Sequence, residues 1–128
     1  MEMISTKSIN GGKYRTLKKM IKNIDFASPL SLDALVTYQT GQIVSRTLAQ
    51  NRAVSMTLFA FDKGEEISSH ESKGDAMVQV LDGKAKITIG EGEYVLSAGE
   101  TIVMPAGVPH ALEAVEPFKM FLTVVFPG

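Results

Sequence analysis

Residues 77–92, MVQVLDGKAKITIGEG, decide the fold class of this chain. From Lys84 to Ile89 apolar and polar residues alternate, which is the period of a strand with one face buried. The dipeptide Asp82-Gly83 before this segment is a strong signal for a tight hairpin. Gly90-Glu91-Gly92 marks the next turn. Two strands joined by a short turn are therefore predicted here.

Segments of the same kind extend outward in both directions. They are short, rich in β-branched and aromatic residues, and separated by glycine and proline. They comprise residues 43–50, 53–61, 94–96, 101–104, 111–115 and 119–126. Many short strands with this punctuation indicate an all-β sandwich or barrel.

The N-terminal part differs from the rest. Residues 1–22 contain six lysine and arginine residues against one glutamate. We predict a basic, partly flexible arm over residues 1–23, with a helical turn or two at Tyr14 to Ile21, and one β-barrel domain over residues 24–128. A second short helix is predicted from Leu30 to Tyr38, with Ser31 as its N-cap.

Composition excludes several classes of protein. The chain of 128 residues is 45% hydrophobic, which suffices for one buried core. It has no cysteine, which rules out disulfides, thiolate metal sites and a cysteine nucleophile. No apolar run has the roughly 18 residues of a membrane span, and no signal peptide is visible. We expect a cytoplasmic protein that binds neither membranes nor nucleic acid.

The two histidines of the chain are the candidate site residues. His70 follows a turn that begins at Gly64, and His110 follows the tight loop Pro105 to Pro109. Residues at such edges face the mouth of a barrel. A single histidine is more often structural than functional, but the context of the pair favours a shared site.

The first half of that context resembles the first motif of the cupin superfamily. That motif has glycine, five residues, His-x-His, three or four residues, glutamate, six residues and glycine. This chain matches with Gly64, His70 and Gly83, whereas Ser72 and Ala76 stand at the second histidine and the glutamate.

The second half resembles the second cupin motif more closely. Gly99, Pro105, Gly107 and His110 match it at each step, and Ala114 replaces its asparagine. The resemblance covers residues 53–126. It implies a double-stranded β-helix, the jelly-roll barrel, with a short N-terminal helix or arm, and a homodimer.

The resemblance also implies a metal centre, of which this chain keeps half. Cupins hold iron, manganese, nickel or zinc with three histidines and one glutamate. Carried over, His70 and His110 are the possible metal ligands. Asp75 could replace the glutamate only through a bulge at Gly74, and Gln79 faces either the pocket or solvent.

Two functions follow from these residues. The first is binding of an unidentified small molecule, or of a weakly held divalent metal, in a pocket formed by His70, Ser72, Gln79 and His110. The alternative is a metal-dependent enzyme of the oxygenase or isomerase type that uses both histidines. Methionines in the predicted strands either line the cavity or fill the core, namely Met56, Met77, Met104 and Met120.

Overall fold

The structure is a computed structural model that describes residues 19–128. A short 3-10 helix, Leu32–Leu35, precedes nine strands within this range. The strands are β1 (Ile43–Gln50), β2 (Val54–Phe61), β3 (Glu66–His70), β4 (Asp75–Asp82), β5 (Lys84–Ile89), β6 (Gly92–Ser97), β7 (Thr101–Met104), β8 (His110–Ala114) and β9 (Phe118–Val125). The predicted all-β fold is confirmed. Among the described residues, no helix has the length and hydropathy needed to cross a bilayer.

The strands form two antiparallel sheets that face each other. One sheet has the order β1-β2-β9-β4-β7 and the other β3-β8-β5-β6. Side chains alternate between the interior and the surface, so Ala76, Val78 and Val80 of β4 are buried while their neighbours are not. This is the jelly-roll arrangement expected from the sequence.

The turn at Asp82-Gly83 differs from the prediction. β4 and β5 do not pair with each other, because β4 lies between β9 and β7 whereas β5 lies between β8 and β6. The turn therefore carries the chain from one sheet to the other instead of closing a hairpin. Gly83 makes this corner possible, since its φ of +78° lies in the left-handed region. The hairpin of this part of the chain is β5–β6, around Gly90.

The main core lies between the two sheets. At its closed end Phe61 and Phe118 are fully buried, and their rings stack with centroids 4.5 Å apart. The inner faces of β4 and β5 supply much of the remaining apolar surface, including Ile87, which is also fully buried. The same core extends to the histidine end of the barrel, where Ala76, Met104 and Met120 belong to it and line a cavity.

A second apolar cluster covers the outer face of the five-stranded sheet. Val36 is buried there with Leu48, Leu58 and Ala60 beneath it. This corrects the predicted two-turn helix, because only the single turn Leu32–Leu35 forms and the backbone is extended again at Val36. Extension is what brings Val36 onto the sheet. Ser31 does stand at the N-cap position, but its side chain makes no capping hydrogen bond within the described residues.

The predicted N-terminal elements fall mostly outside the described residues. Of the arm over residues 1–23 and the helix at Tyr14 to Ile21, only the part from Lys19 onward is described, and residues 19–23 contain neither helix nor strand. The Lys22 amide donates to the Leu48 carbonyl at 2.8 Å. This bond places the described end of the arm beside β1.

Tyr38 fastens the N-terminal segment to the barrel. Its hydroxyl donates to the Asp82 carboxylate at 2.5 Å, and Lys119 Nζ lies 5.1 Å from the ring centroid. Burial and, to a smaller extent, the hydrogen bond to Asp82 raise the pKa of Tyr38.

We expect Tyr38→Phe to lower the free energy of unfolding in urea by about 1 kcal/mol, because the hydrogen bond to Asp82 is lost. Tyr94→Phe is the matched control, since Tyr94 is 45% exposed and its loss of a hydroxyl should change nothing measurable. Equal effects of the two substitutions would contradict this role for Tyr38.

Candidate functional site

The candidate site lies at the barrel end where several strands begin or stop. The last residue of β3, His70, pairs with the first residue of β8, His110. On the opposite sheet Ala76, near the start of β4, pairs with Met104 at the end of β7. Residues that are distant in sequence therefore meet at one mouth of the barrel.

A cavity of about 280 Å³ opens at this mouth. Its lining is mostly apolar and comes from both sheets. The lining residues are Phe59, Ile67, His70, Glu71, Ser72, Ala76, Met104, His110, Leu112, Met120, Leu122 and Val124. An apolar cleft with a few polar groups at one end is the usual form of a small-molecule site.

The two imidazole rings touch across the β3–β8 pair. Their centroids are 4.3 Å apart and the rings meet edge to face, at 66°. His110 is 3% exposed, whereas His70 is exposed at the mouth. Each Nδ1 lies near a carbonyl two residues earlier, Ser68 O at 3.1 Å and Val108 O at 3.3 Å. Since a carbonyl only accepts, Nδ1 carries the proton in each contact, and Nε2 of the neutral ring is left as an acceptor.

The environment of His110 disfavours its charged form. Burial lowers the pKa of His110 from 6.5, and the nearby charge of His70 lowers it further, against a smaller opposite effect of the Val108 carbonyl. Glu71, whose side chain is exposed, also lines the cavity. His110 is therefore a neutral hydrogen-bonding group at neutral pH.

This shift predicts acid sensitivity. Because the unfolded chain binds a proton at His110 at higher pH than the folded chain does, the free energy of unfolding should fall as pH decreases from about 6.5. Urea unfolding at pH 7.5, 6.5 and 5.5 measures this slope. His110→Asn should flatten the slope, while His70→Asn should keep most of it, since burial is the larger cause. A slope unchanged in His110→Asn would assign the acid sensitivity to other groups.

The loop of the second motif is fixed from both sides. The Gly107 amide donates to the Ser72 carbonyl at 2.9 Å, and the Pro109 carbonyl accepts from the Gly90 amide at 2.8 Å. Gly107 has a φ of +76°, which glycine adopts without strain. These bonds hold His110 at the start of β8 and connect it to the segment that carries Ser72.

The structure brings together three of the four predicted pocket residues, and it turns the fourth, Gln79, and the candidate metal ligand Asp75 away from the cavity. His70, Ser72 and His110 line the cavity. Gln79 does not, because it lies three positions after inward-facing Ala76, and an odd offset on a strand reverses the facing. Asp75 is also turned away, and its carboxylate accepts from the Ala106 amide at 2.8 Å. The structure therefore does not support Gln79 as a pocket residue, nor Asp75 or Gln79 as a metal ligand.

Of the methionines, Met104 and Met120 do line the cavity, and both are buried. Met77 lies on the outward face of β4, and Met56 packs against the second apolar cluster. Met104 and Met120 therefore both line the cavity and belong to the core, Met56 packs outside the barrel, and Met77 does neither.

Glu71 is a lining residue that sequence reasoning missed. Strand alternation places it opposite to His70, which would turn it away from the cavity. β3 ends at His70, however, so alternation no longer applies at position 71. The sequence signal for this is Gly74, three residues further on, because a glycine often marks the end of a strand. Beyond the end of a strand, alternation no longer determines which way a side chain faces.

These residues do not fit a resident metal of the kind that the fold implies. Ser72 and Ala76 stand where two ligands would be, and Ala76 offers no donor atom. Among residues 19–128, no three histidine, aspartate or glutamate side chains gather closely enough to hold an ion. Glu71 lines the cavity but does not join the two imidazoles in such a group. Two imidazoles alone bind a divalent ion weakly, because water must complete the shell.

A larger groove of about 670 Å³ lies outside the barrel, between β1 and the N-terminal segment. Arg46 lines it, and its guanidinium donates to the Asn23 carbonyl at 2.9 Å. The Asn23 side chain in turn donates to the Thr47 carbonyl at 2.7 Å. These polar groups hold the segment in place, and the groove has no histidine, so the barrel cavity is the better candidate.

Comparison with known proteins agrees with this fold. A family model for the cupin domain matches residues 57–126. A conserved protein of unknown function from Streptococcus pyogenes is 50% identical, over 87% of this chain and 97% of that one, with a TM-score of 0.85. A cupin superfamily protein from Desulfitobacterium hafniense DCB-2 is 32% identical, over 84% and 98% of the two chains, with a TM-score of 0.80. An uncharacterized Streptomyces coelicolor protein is 30% identical over 78 residues, 61% of this chain and 74% of that protein.

Proposed function

This chain belongs to the cupin superfamily, and from that membership and the cavity we propose that it binds a small, mostly apolar organic molecule inside the barrel. The observation that carries the proposal is the combination of an apolar cavity with two touching imidazoles at its mouth. The ligand's apolar body would lie against Met104, Met120 and Leu122. Its polar group would face His70 and His110.

The size of the cavity limits the ligand. At the roughly 30 Å³ that a water-sized group occupies, 280 Å³ holds about nine non-hydrogen atoms. The chemistry of the mouth limits it further. The Nε2 atom of neutral His110 accepts a hydrogen bond, which favours a ligand that donates one, such as an alcohol or a phenol. Ser72 adds a hydroxyl to the lining.

The metal-dependent enzyme is the weaker hypothesis for this site. Its only specific support is the pair of imidazoles, whose rings are close enough to share an ion. Neither Asp75 nor Gln79 completes the set, as their side chains point away from the cavity. Elemental analysis of untagged protein tests this hypothesis, because a stoichiometric metal lost in His70→Ala/His110→Ala would favour the enzyme over the binding protein.

Filling the cavity tests the proposed function. The probe is 4-ethylphenol, whose size and hydroxyl group match the site. We expect it to raise the melting temperature of the natural protein, since a ligand that binds only the folded state stabilises it. Ala76→Leu should abolish that shift, because Ala76 is buried and faces the cavity. The variant alone should remain folded, because the added carbons enter the existing cavity.

Gln79→Leu is the matched control. It adds the same side chain to the outward face of the same strand, so the shift caused by 4-ethylphenol should persist. An equal shift in Ala76→Leu would mean that the probe binds elsewhere. If 4-ethylphenol, ethylbenzene and aliphatic alcohols all left the melting temperature of the natural protein unchanged, the binding function would be rejected.

Two further expectations belong to this proposal. The homodimer implied by the family resemblance stays a prediction, which sedimentation at micromolar concentration measures. The cytoplasmic location expected from the composition also stays a prediction.

A further inference from the structure

Beside the barrel mouth lies a second depression that the proposed function does not use. It has a volume of about 450 Å³ and is lined by Asn51, Arg52, Lys73, Phe126 and Pro127. We call these five residues the rim site. We propose that the rim site binds a carboxylate of the same ligand, in addition to the hydroxyl that faces the imidazoles, so that the ligand is a small hydroxy acid whose apolar body occupies the barrel. This inference rests on the proposed function.

Strand β9 and the loop between β3 and β4 connect the rim site to the barrel cavity. Leu122 and Val124 of β9 line the cavity, and Phe126, which directly follows the last residue of β9, lines the rim site. Two residues of extended chain span about 7 Å. Likewise, Ser72 lines the cavity and the adjacent Lys73 lines the rim site. A ligand that projects from the mouth would therefore reach the rim site within a few bond lengths.

The charge of the rim site is not neutralised by its surroundings. Arg52 and Lys73 are exposed, and within residues 19–128 neither has a carboxylate within salt-bridge distance, the ion pairs there being Lys84–Glu116 and Lys86–Glu113. The neighbouring Asp75 carboxylate is bonded to the Ala106 amide. Two free cations beside a phenylalanine and a proline match an oxyanion attached to an apolar group.

The backbone around these cations is held in place. Asn51 Oδ1 accepts from the Ala53 and Val54 amides at 2.8 and 3.0 Å, and the Phe126 amide donates to the Ala53 carbonyl at 3.0 Å. Gly74 packs so closely that a Cβ there would lie 2.3 Å from the Val125 carbonyl oxygen. The turn with Arg52, the end of β9 and the segment with Lys73 thus form one fixed rim, which reduces the ordering cost of binding.

The charges also determine the orientation of the ligand. Glu71 lines the barrel cavity beside the imidazoles, so a second carboxylate placed there would be repelled. At the rim site the carboxylate meets Arg52 and Lys73 instead. The acid group is therefore outermost and the apolar body innermost.

Calorimetric titration of the full chain with octanoate and with octan-1-ol tests this inference. Both have a body that fits the cavity, and only octanoate has a carboxylate. We expect octanoate to bind about tenfold more tightly at low ionic strength, with the difference reduced by salt. Arg52→Gln/Lys73→Gln should lower the octanoate affinity about tenfold and leave octan-1-ol unchanged.

Lys63→Gln is the matched control. Lys63 is an exposed lysine that follows the far end of β2, whereas Arg52 precedes the near end, and the eight residues of the strand separate them by roughly 27 Å. Lys63→Gln should bind both probes like the natural protein. If Lys63→Gln lost octanoate affinity to a similar extent, the loss would reflect the net charge of the protein and not the rim site, and the proposal would be rejected.

The remaining outcomes separate the two proposals. If octan-1-ol binds and octanoate gains nothing over it, the rim site is rejected and the barrel function stands. If octanoate binds equally well to Ala76→Leu, or acetate binds as tightly as octanoate, the anion binds without the barrel, and the shared ligand is rejected. If neither probe binds the folded protein, both proposals are rejected.

Discussion

Gly83→Ala is expected to lower the free energy of unfolding by about 3 kcal/mol. Two costs combine at this position. The φ of +78° penalises any residue with a Cβ by about 1–2 kcal/mol. The added Cβ would also lie 1.8 Å from the Pro117 carbonyl oxygen and 2.8 Å from the Phe118 Cα, so the backbone must move. Because the Phe118 ring stacks on Phe61 in the core, that movement reaches the packing between the sheets.

Gly64→Ala separates the two costs. Gly64 has a similar φ of +83°, but nothing lies within 4 Å of the position that its Cβ would take. We expect this substitution to cost about 1–2 kcal/mol, the conformational part alone. Urea unfolding of both variants measures the difference. Equal losses would show that the corner at Gly83 relaxes without strain, and that the close contact with Pro117 is not a constraint on the fold.

Ser72→His/Ala76→Glu is expected to convert the cavity into a metal site. The two substitutions add an imidazole and a carboxylate at the positions that the family resemblance assigns to ligands. Both positions already line the cavity with His70 and His110, and 280 Å³ leaves room for the larger side chains. We expect the affinity for zinc or nickel to rise by about 100-fold or more over the natural chain, as two waters of the shell are replaced by protein ligands.

The control for this substitution places the same carboxylate on the other side of β4. In Ser72→His/Gln79→Glu the glutamate faces outward, so the affinity should gain only the contribution of the added imidazole. Competition with a colorimetric chelator measures all three proteins. A natural chain that already binds as tightly as Ser72→His/Ala76→Glu would contradict the conclusion that the native residues do not fit a metal.

The candidate site was predictable where it depended on local sequence. The spacing from Gly99 to His110 belongs to one short stretch of chain, β7 and the loop after it, and it placed His110 beside the start of a strand. For His70 the spacing from Gly64 predicted a position after a turn, whereas β3, which ends at His70, was not predicted and was found only in the structure. Glu71 and the rim residues could not be found in this way. Their roles depend on where a strand stops and on which segment ends beside it, and neither is encoded in a two-residue period.

Gln79 shows what strand alternation can predict and what it cannot. Alternation places Gln79 and Ala76 on opposite faces of β4 whatever the fold. Which of the two faces the barrel follows from the sheets, because Ala76 is packed between Met104 of β7 and Val124 of β9. Sequence alone left the facing of Gln79 open for this reason.

The alternation in residues 77–92 by itself determined that this chain forms short, half-buried strands, since a strand's facing period belongs to its own backbone. The turn within the same stretch was decided only by the tertiary structure. Asp82-Gly83 fits a hairpin and a corner between sheets equally well, and the choice depends on β9 and β7 occupying the edges of β4. The same long-range pairing brings His70 against His110 across forty residues of sequence. Strand partners are chosen by burial across the whole barrel, which no local pattern contains.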